Sequence, residues 1–274
     1  MKVKKALTIA GSDSGGGAGI QADIKTFQEL GVYGMSVLTA VTSQNTLGVQ
    51  AVYPLPPEAA ARQIQSIGED IGTDAVKTGM LFDAAVIKSV ARSISSFGWE
   101  KVVVDPVMIA KGGTSLLQKE AIAALKEDLL PLAMVVTPNI PEAEELTGMA
   151  IKTEEEKKEA ARVLHRLGAS HVVMKGGHDE DVEKAVDILF DGENFFYFTS
   201  PRIQTKNTHG TGCTFSSAIA AELAKGHSVY NAVSTAKQFI QAAIEDSIQI
   251  GNGHGPTNHW AFGRRNQLGG KALE

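Results

Sequence analysis

The sequence predicts an α/β fold in which helices cover both faces of a mostly parallel central sheet. Short runs of apolar, often β-branched residues alternate with longer helical patterns along the 274 residues. The runs are apolar on both faces, which is typical of parallel strands buried between two helix layers. No linker, composition break or internal repeat interrupts this alternation. We therefore expect one domain over residues 1–262 and a flexible tail at residues 263–274.

The expected strands are short apolar runs that end at a glycine, a proline or a polar residue. In chain order they cover residues 6–10, 36–42, 74–78, 101–105, 134–137, 171–175, 186–190 and 195–199. The last two flank Asp191-Gly192, a dipeptide that favours a tight hairpin turn. The helical patterns between the earlier strands predict parallel pairing instead.

The expected helices carry local start and stop signals. They cover residues 19–30, 58–70, 83–97, 118–129, 153–167, 211–224 and 229–248. Pro56 and Pro57 precede the second helix, and Asp83 gives the third an acidic start. Thr153 caps the fifth helix and Gly168 ends it. Such residues satisfy or replace the backbone groups that a helix end leaves unpaired.

Composition excludes several classes of protein. Lysine and arginine total 26, aspartate and glutamate total 31, and the formal net charge is −5. Because there is no basic excess or basic block, we do not expect nucleic acid as a partner. The single cysteine, Cys213, excludes an internal disulfide and favours a reduced, cytoplasmic setting. The first apolar run is too short for a signal peptide or a membrane span, so no membrane association is expected.

Residues 11–19 hold five glycines and directly follow the first expected strand. The cluster lacks the lysine ending of a Walker A loop and the glycine spacing of a dinucleotide-binding loop. Two interpretations stay open: a tight strand-to-helix turn, or a loop that lies against a small substrate. Asp23, in the helix that follows, is either a polar handle for that substrate or a charge favoured near a helix start.

A second cluster of small and polar residues, 207–214, opens an Ala-rich helix. At such a start several backbone N–H groups converge, and the helix dipole adds positive potential. A phosphoryl group in transfer is the natural occupant. Cys213 is then either an inert packing thiol or a functional one, because a helix start can lower the pKa of a thiol.

Polar side chains also follow other strands at their carboxyl ends, where ligands bind in such sheets. Asn139 and Glu142 suit a hydrated Mg²⁺ ion, although a capped helix start explains the same two residues. Asp105 ends a very apolar strand. Lys175 ends another strand, where it could neutralise phosphate charge or simply be solvated.

Two further features complete this edge of the sheet. The amide of Gln44 either binds a heteroaromatic ring or lies in a turn. The glycine-containing stretch 109–114 could close over a bound ligand. Taken together, the clusters are the parts needed for phosphoryl transfer from a nucleotide without a P-loop.

These motifs resemble those of the hydroxymethylpyrimidine/phosphomethylpyrimidine kinases of thiamine biosynthesis, in the ribokinase-like superfamily. The resemblance runs over about residues 7–260 and is strongest at 10–23, 105–108, 137–139 and 209–214. It implies a three-layer α/β/α fold, ATP and Mg²⁺ as cofactors, and a homodimer. It further implies two phosphorylations, first of the hydroxymethyl group of 4-amino-5-hydroxymethyl-2-methylpyrimidine and then of the resulting monophosphate.

The resemblance also implies roles for individual residues. The implied pyrimidine-binding residues are Gly11, Asp23, Gln44 and Met80, the anion hole is Gly210, Thr211 and Gly212, the nucleotide contacts are Asn139, Lys175 and Thr208, and the Mg²⁺ ligands are Asp105 and Glu142. Cys213 stands where the sugar-kinase branch has a catalytic aspartate. We expect it to act as the general base, because the helix start favours the thiolate.

Other functions stay open at this point. Pyridoxal kinases of the same branch share nearly all these motifs, so a pyridoxine or pyridoxal kinase is the alternative enzyme. Some of them carry a lid cysteine where this chain has Ala110. That difference, together with Gln44-Asn45, favours the thiamine-pathway assignment. A non-catalytic pyrimidine- or nucleotide-binding protein is a third possibility, whereas the missing fingerprint disfavours a nicotinamide dehydrogenase.

Overall fold

One mixed sheet lies at the centre of the protein. The computed structural model describes residues 2–108, 119–178 and 183–270, and within them nine strands form this sheet. The strands are β1 (Lys5–Asp13), β2 (Tyr33–Asn45), β3 (Gly48–Pro54), β4 (Ala75–Thr78), β5 (Val102–Val104), β6 (Val135–Val136), β7 (His171–Met174), β8 (Lys184–Phe190) and β9 (Phe195–Pro201). Their spatial order is β3-β2-β1-β4-β5-β6-β7-β8-β9. The strands from β2 to β7 in this order pair in parallel, so the predicted mostly parallel sheet is confirmed.

Helices cover both faces of the sheet. They are α1 (Gly19–Glu29), α2 (Pro57–Asp70), α3 (Ala84–Ser96), α4 (Lys119–Ala124), α5 (Ile140–Thr147), α6 (Glu154–Arg166), α7 (Thr211–Lys225), α8 (Val229–Glu245) and α9 (Ala261–Gly270). Residues of α1, α7 and α8 form one apolar core with the sheet, and residues of α2, α3 and α6 form the other. The three-layer arrangement is therefore confirmed. None of these helices has the length and apolar character that crossing a membrane requires.

Strand β5 shows why the central strands are apolar at every position. Val102, Val103 and Val104 are all fully buried. Val102 and Val104 belong to one core and Val103 to the other, because successive side chains of a strand point to opposite faces of the sheet. Each buried valine contributes roughly 1.5–3 kcal/mol relative to an exposed one.

The edges of the sheet are antiparallel. The predicted hairpin is confirmed, since β8 pairs with β9 around Asp191 and Gly192. Strand β3, which was not predicted from the sequence, pairs antiparallel with β2. Its side chains are half-exposed or exposed, so it lacks the continuous apolar pattern that marks the buried strands.

Two expected segments have helical structure that the sequence did not specify. The fourth expected helix consists of α4 followed by a π-helical turn, Leu125–Leu129, while its first residue, 118, and the loop 109–114 lie outside the described residues. Helix α9 occupies most of the predicted tail. The rings of Phe262 and Phe239 pack at an inclined angle of 40° with centroids 5.3 Å apart, and Arg265 pairs with Glu245 at 2.6 Å. These contacts extend the folded chain beyond residue 262, whereas residues 271–274 lie outside the described residues.

Candidate active site

A cavity of about 1330 Å³ opens at the carboxyl ends of the parallel strands. Every predicted site residue except Asp23 lines it. The lining members of that set are Gly11, Gln44, Met80, Asp105, Asn139, Glu142, Lys175, Thr208, Gly210, Thr211, Gly212 and Cys213. The fold therefore brings together residues that lie far apart along the sequence, as expected for a ligand site in a parallel sheet.

The Gly-rich loop after β1 is folded around the buried carboxylate of Asp13. This carboxylate accepts hydrogen bonds from the backbone N–H groups of Gly15, Gly17 and Ala18 at 2.8, 3.0 and 2.8 Å. It also lies 2.8 Å from Nε2 of His209. Burial alone would raise the pKa of Asp13, but the hydrogen bonds from His209 and the backbone outweigh burial and lower it. Asp13 is therefore ionised at neutral pH.

Two glycines of the loop lie close to neighbouring atoms, a flexible methionine at Gly11 and the backbone at Gly19. A Cβ at Gly11 would lie 2.3 Å from Cε of Met80, and one at Gly19 would lie 2.3 Å from the carbonyl oxygen of Gly11. Gly19 also has a φ of +56°, which L-residues seldom adopt. The tight turn is therefore confirmed, and contact of this loop with a small substrate stays a prediction, although loop residues do line the cavity.

The predicted anion hole is the turn that opens α7. Gly210 is its N-cap, with a φ of +81°. A Cβ at Gly210 would lie 1.7 Å from the carbonyl oxygen of Gly17, so the turn and the Gly-rich loop touch through their backbones. The first N–H groups of a helix have no carbonyl acceptor within it. The N–H groups of Gly212 and Cys213 belong to this first turn, and both residues line the cavity.

Cys213 lies in the first turn of α7 but is not the acidic thiol expected from the sequence. Burial raises the pKa of Cys213 to about 11. The charge of Lys77 lowers this pKa, while the charges of Asp23 and Asp105 raise it. Desolvation thus outweighs the favourable effect of the helix start. The expectation of a lowered pKa is wrong in this structure, and the resting group at neutral pH is the thiol.

Asp23 lies beneath the cavity rather than in its wall. Its side chain is fully buried, and both of its oxygens lie 2.9 Å from Nζ of Lys77. The hydroxyls of Thr8 and Ser217 donate to the same carboxylate, each at 2.6 Å. Direct contact with a pyrimidine, which the resemblance implies, is therefore not what this structure shows. Asp23 instead fixes Lys77, which does line the cavity.

Lys77 is a buried cation that was not predicted as part of the site. Burial alone would lower its pKa, but the charge of Asp23 outweighs burial and raises the pKa above its ordinary value. The available signal was a lysine within the expected strand 74–78, because a buried charge in a central strand requires a partner.

Lys175 lies between two acidic side chains at the centre of the cavity. Its Nζ is 3.0 Å from Asp105 and 3.7 Å from Glu142. Ser216 also donates to Asp105, at 3.1 Å. Burial would raise the pKa of Asp105, but the charges of Lys175 and Lys77 lower it. The pKa of Glu142 is raised to about 7, because burial and the charge of Asp105 outweigh the attraction of Lys175.

Asn139 and Glu142 form a reciprocal capping box at the start of α5. Oδ1 of Asn139 accepts from the Glu142 N–H at 2.9 Å, and Oε2 of Glu142 accepts from the Asn139 N–H at 2.8 Å. The capped helix start, one of the two interpretations from sequence, is confirmed. The same two residues line the cavity, so capping holds them at its wall.

The acidic pair suits a hydrated magnesium ion. Among the described residues no group of three or more His, Cys, Asp and Glu side chains could hold a metal by itself. Mg²⁺ generally uses one or two carboxylates and completes its shell with water and substrate phosphates. Asp105 and Glu142 are two buried carboxylates whose mutual repulsion is evident in the raised pKa of Glu142. This donor set fits such an ion.

The end of the cavity beyond Lys175 was also not predicted. There Asp187 and Lys237 form an ion pair at 2.8 Å, and Asp187 accepts from the backbone N–H of Gly176 at 2.7 Å. Apolar side chains, among them Ile240 and Ile244, line the same end. The cavity is thus long enough to hold more than the small ring predicted for its opposite end.

A family model described as phosphomethylpyrimidine kinase matches residues 13–258. The chain belongs to this family. A family relative from Bacillus subtilis, named hydroxymethylpyrimidine/phosphomethylpyrimidine kinase, is 57% identical over 268 residues, covering 98% of each chain. The predicted family and the assignment as a phosphotransferase are therefore confirmed. Membership of a kinase family also implies ATP as the phosphoryl donor.

Solved structures confirm the ribokinase-like fold of the family. An ADP complex of Bacillus subtilis pyridoxal kinase matches with a TM-score of 0.88 and 48% identity, over 95% of this chain and 98% of that one. Pyridoxal kinase from Staphylococcus aureus, solved with AMP-PCP and pyridoxal, matches with a TM-score of 0.89 and 40% identity, over 96% of each chain.

Proposed function

We propose that this protein uses ATP and Mg²⁺ to phosphorylate the hydroxymethyl group of 4-amino-5-hydroxymethyl-2-methylpyrimidine, and then phosphorylates the monophosphate to the diphosphate, in thiamine biosynthesis. The observation that carries the proposal is a single cavity with three regions. We assign one end to Gly11, Gln44 and Met80, the middle to the start of α7, and the other end to Lys175 and the residues near it, all of which line the cavity. An acceptor ring, a phosphoryl group in transfer and a nucleotide can occupy these regions in line.

The acceptor end suits a small flat ring. A Cβ at Gly11 would lie 2.3 Å from the terminal methyl group of Met80, and Gln44 supplies an amide to the same end. An apolar surface together with one side-chain amide matches a substituted pyrimidine. The ring's hydroxymethyl group would then point to the first turn of α7.

The start of α7 supports the transfer itself. In this proposal the backbone N–H groups of Gly212 and Cys213 donate to the charge that develops on the migrating phosphoryl group, and they need no reorganisation to do so. Lys175, held by Asp105, supplies a positive charge beside them. In the transfer, the hydroxymethyl oxygen bonds to the γ-phosphorus while the bond to ADP breaks, and the hydroxyl proton passes to Cys213.

Cys213 accepts that proton only as the thiolate. Burial disfavours this form and the neighbouring Lys77 favours it. A loose transition state for phosphoryl transfer places little demand on the base, so a small thiolate fraction suffices. Lys77, fixed by Asp23, and a backbone hydrogen bond from Gly19 both make this fraction available.

Asp105 and Glu142 would hold the magnesium ion, and Asn139, Lys175 and Thr208 would contact the nucleotide. When bound, Mg²⁺ neutralises phosphate charge. We further propose that the enzyme is a cytoplasmic homodimer, as the family resemblance implies.

A second candidate is phosphorylation of pyridoxine or pyridoxal. The observation that favours it is the close match to the pyridoxal kinases from Bacillus subtilis and Staphylococcus aureus. Both kinds of ring carry a hydroxymethyl group, so one cavity can serve both. The 57% identity to the Bacillus subtilis hydroxymethylpyrimidine/phosphomethylpyrimidine kinase, over 98% of each chain, favours the pyrimidine as the main substrate.

The test is a ³¹P NMR time course with the enzyme, ATP, Mg²⁺ and each ring substrate in turn. The proposal expects a pyrimidine monophosphate that rises and then falls as the diphosphate appears. A single addition would limit the activity to the first step, faster turnover of pyridoxal would favour the second candidate, and no transfer to either ring would refute both.

A further inference from the structure

His209 links the Gly-rich loop to Gln44, and the proposed phosphoryl transfer gives it no role. Its Nε2 lies 2.8 Å from Oδ2 of Asp13 and 3.3 Å from the terminal amide of Gln44. Its ring also lies against Gly17, where a Cβ would come within 2.5 Å of Cδ2. The ring is thus held by three neighbours at the wall of the cavity.

The partner of His209 determines which ring nitrogen carries a proton. Asp13 is ionised, because hydrogen bonds lower its pKa, and it already accepts from three backbone N–H groups. A carboxylate can only accept hydrogen bonds. The nitrogen that faces it at 2.8 Å, Nε2 of His209, must therefore carry hydrogen and donate.

A proton on Nε2 of His209 conflicts with the placed orientation of the Gln44 amide. In that orientation the amide NH₂ group faces His209 and the amide oxygen faces Thr42. An N–H group of His209 cannot accept from an NH₂ group. Thr42 gives an independent second conflict, because its hydroxyl has one hydrogen and lies 2.8 Å from the carbonyl oxygen of Ser12 and 3.1 Å from the Gln44 oxygen. The two ends of an amide are assigned from such networks, and a half-turn of the amide removes both conflicts.

We propose that Asp13 and His209 are positioning residues that hold the Gln44 amide with its oxygen toward His209 and its NH₂ group toward Thr42. One N–H of that group donates to the hydroxyl of Thr42, and the other is presented to the cavity. The ligand atom recognised by Gln44 is then a hydrogen-bond acceptor, namely an unprotonated ring nitrogen. The naming of the ring as a pyrimidine rests on the proposed function, whereas the amide orientation does not.

A fixed donor has a measurable consequence for selectivity. A site that donates to a ligand atom rejects an analogue lacking that atom, because the donor is left buried and unpaired. We therefore expect kcat/KM to fall by about a hundredfold when the recognised ring nitrogen of the hydroxymethylpyrimidine is replaced by C–H. If the amide were free to turn, its oxygen could face the ligand instead, and this discrimination would decrease.

The experiment compares His209→Leu with His209→Gln, which restores an N–H donor, and uses exposed His254→Gln as the matched control. The readout is the ratio of kcat/KM for the parent pyrimidine to that for each deaza analogue. The proposal expects at least roughly a tenfold fall of the largest ratio in H209L, and recovery to within about threefold in H209Q. An equal loss of kcat/KM for parent and analogues in H209L would overturn it, since that is what a purely structural role produces.

Two further measurements keep the test decisive. If H209L does not fold, Thr42→Val and Thr42→Ser replace it, because valine cannot accept from the Gln44 NH₂ group and serine can; equal ratios in both variants would overturn the proposal.

¹⁵N NMR of the histidine-labelled wild-type protein reads the tautomer without any substrate. A proton on Nε2 of His209 is expected, and a proton on Nδ1 alone would overturn the proposal even if the proposed kinase activity is confirmed. Failure of all phosphoryl transfer would refute the proposed function and leave this tautomer result as the test.

Discussion

Cys213 is held between opposing charges, and its reactivity depends on their balance. Lys77 favours the thiolate, while burial and the carboxylates of Asp23 and Asp105 disfavour it. Because Asp23 and Lys77 pair at 2.9 Å, Asp23 offsets part of the lysine charge that would otherwise lower the pKa of Cys213. A helix start alone therefore does not decide the state of a half-buried thiol.

The rate of the enzyme is expected to depend on pH through this thiol. With a pKa of about 11, the thiolate fraction of Cys213 rises about tenfold per pH unit below that value. We expect kcat to increase from about pH 7 to about pH 9 in the wild-type enzyme. In Cys213→Ala, kcat should fall about a hundredfold or more and lose this dependence, with little change in pyrimidine KM. Steady-state kinetics across this pH range measure both effects.

Two outcomes of the same experiment would contradict a catalytic role for Cys213. Normal turnover in the alanine variant would do so, as would a wild-type kcat that stays flat over the same pH range. Cys213→Ser serves as the control for size, because it keeps the shape of the side chain but not its acidity.

Helix α7 begins and ends with a left-handed glycine, and only one of them lies at the site. Gly210 has a φ of +81° and contacts Gly17, whereas Gly226 has a φ of +94° and open space where a Cβ would lie. Alanine in place of either glycine should lower the free energy of unfolding by about 1–2 kcal/mol, because an L-residue is strained at these φ values. At Gly210 it must also displace the Gly-rich loop.

We therefore predict different outcomes for the two alanine variants. Gly226→Ala should lower the free energy of unfolding by that strain and leave kcat close to wild type. Gly210→Ala should in addition lower kcat/KM by roughly tenfold or more, because the anion hole moves. Denaturant unfolding and kinetics on both proteins test this, and equal activities would contradict the assignment of the turn.

Two capping boxes offer a second matched pair. Asn139 with Glu142 caps α5 at the cavity, and Thr153 with Glu156 caps α6 on the exposed surface. Alanine at either cap residue should cost about 1 kcal/mol of stability. Only Asn139→Ala should raise the KM for ATP, because it also releases Glu142 from its place beside Lys175. Similar KM values for ATP in the two variants would contradict a role for the α5 cap in nucleotide binding.

These elements also show how far the sequence could predict the site. The start of α7 and the Gly-rich loop were predictable from local sequence. The loop is marked by glycines directly after an apolar strand, and the helix start by small and polar residues directly before an Ala-rich helix. The pairings Asp23–Lys77 and Asp13–His209 were not, since they join residues 54 and 196 positions apart. The pKa of Cys213 was mispredicted for the same reason: burial is set by the whole fold.

At the scale of the whole molecule, the parallel sheet gathers separate strand ends into one cavity. Strands β1, β4, β5, β6 and β7 all run in the same direction, so the loops that follow them meet at one edge. The alternating strands and helices were enough to predict this arrangement. The antiparallel β3 and the helix α9 were not, because partly exposed elements lack a continuous apolar pattern.

The central claim is that negative charge leaving ATP is cradled by the backbone at residues 210–213. A crystal structure with a non-hydrolysable ATP analogue, Mg²⁺ and the hydroxymethylpyrimidine measures this directly. We expect the γ-phosphate within hydrogen-bond distance of the Gly212 and Cys213 N–H groups, with the hydroxymethyl oxygen between that phosphate and the Cys213 sulfur. A triphosphate bound elsewhere, with this turn blocked or facing solvent, would contradict the claim.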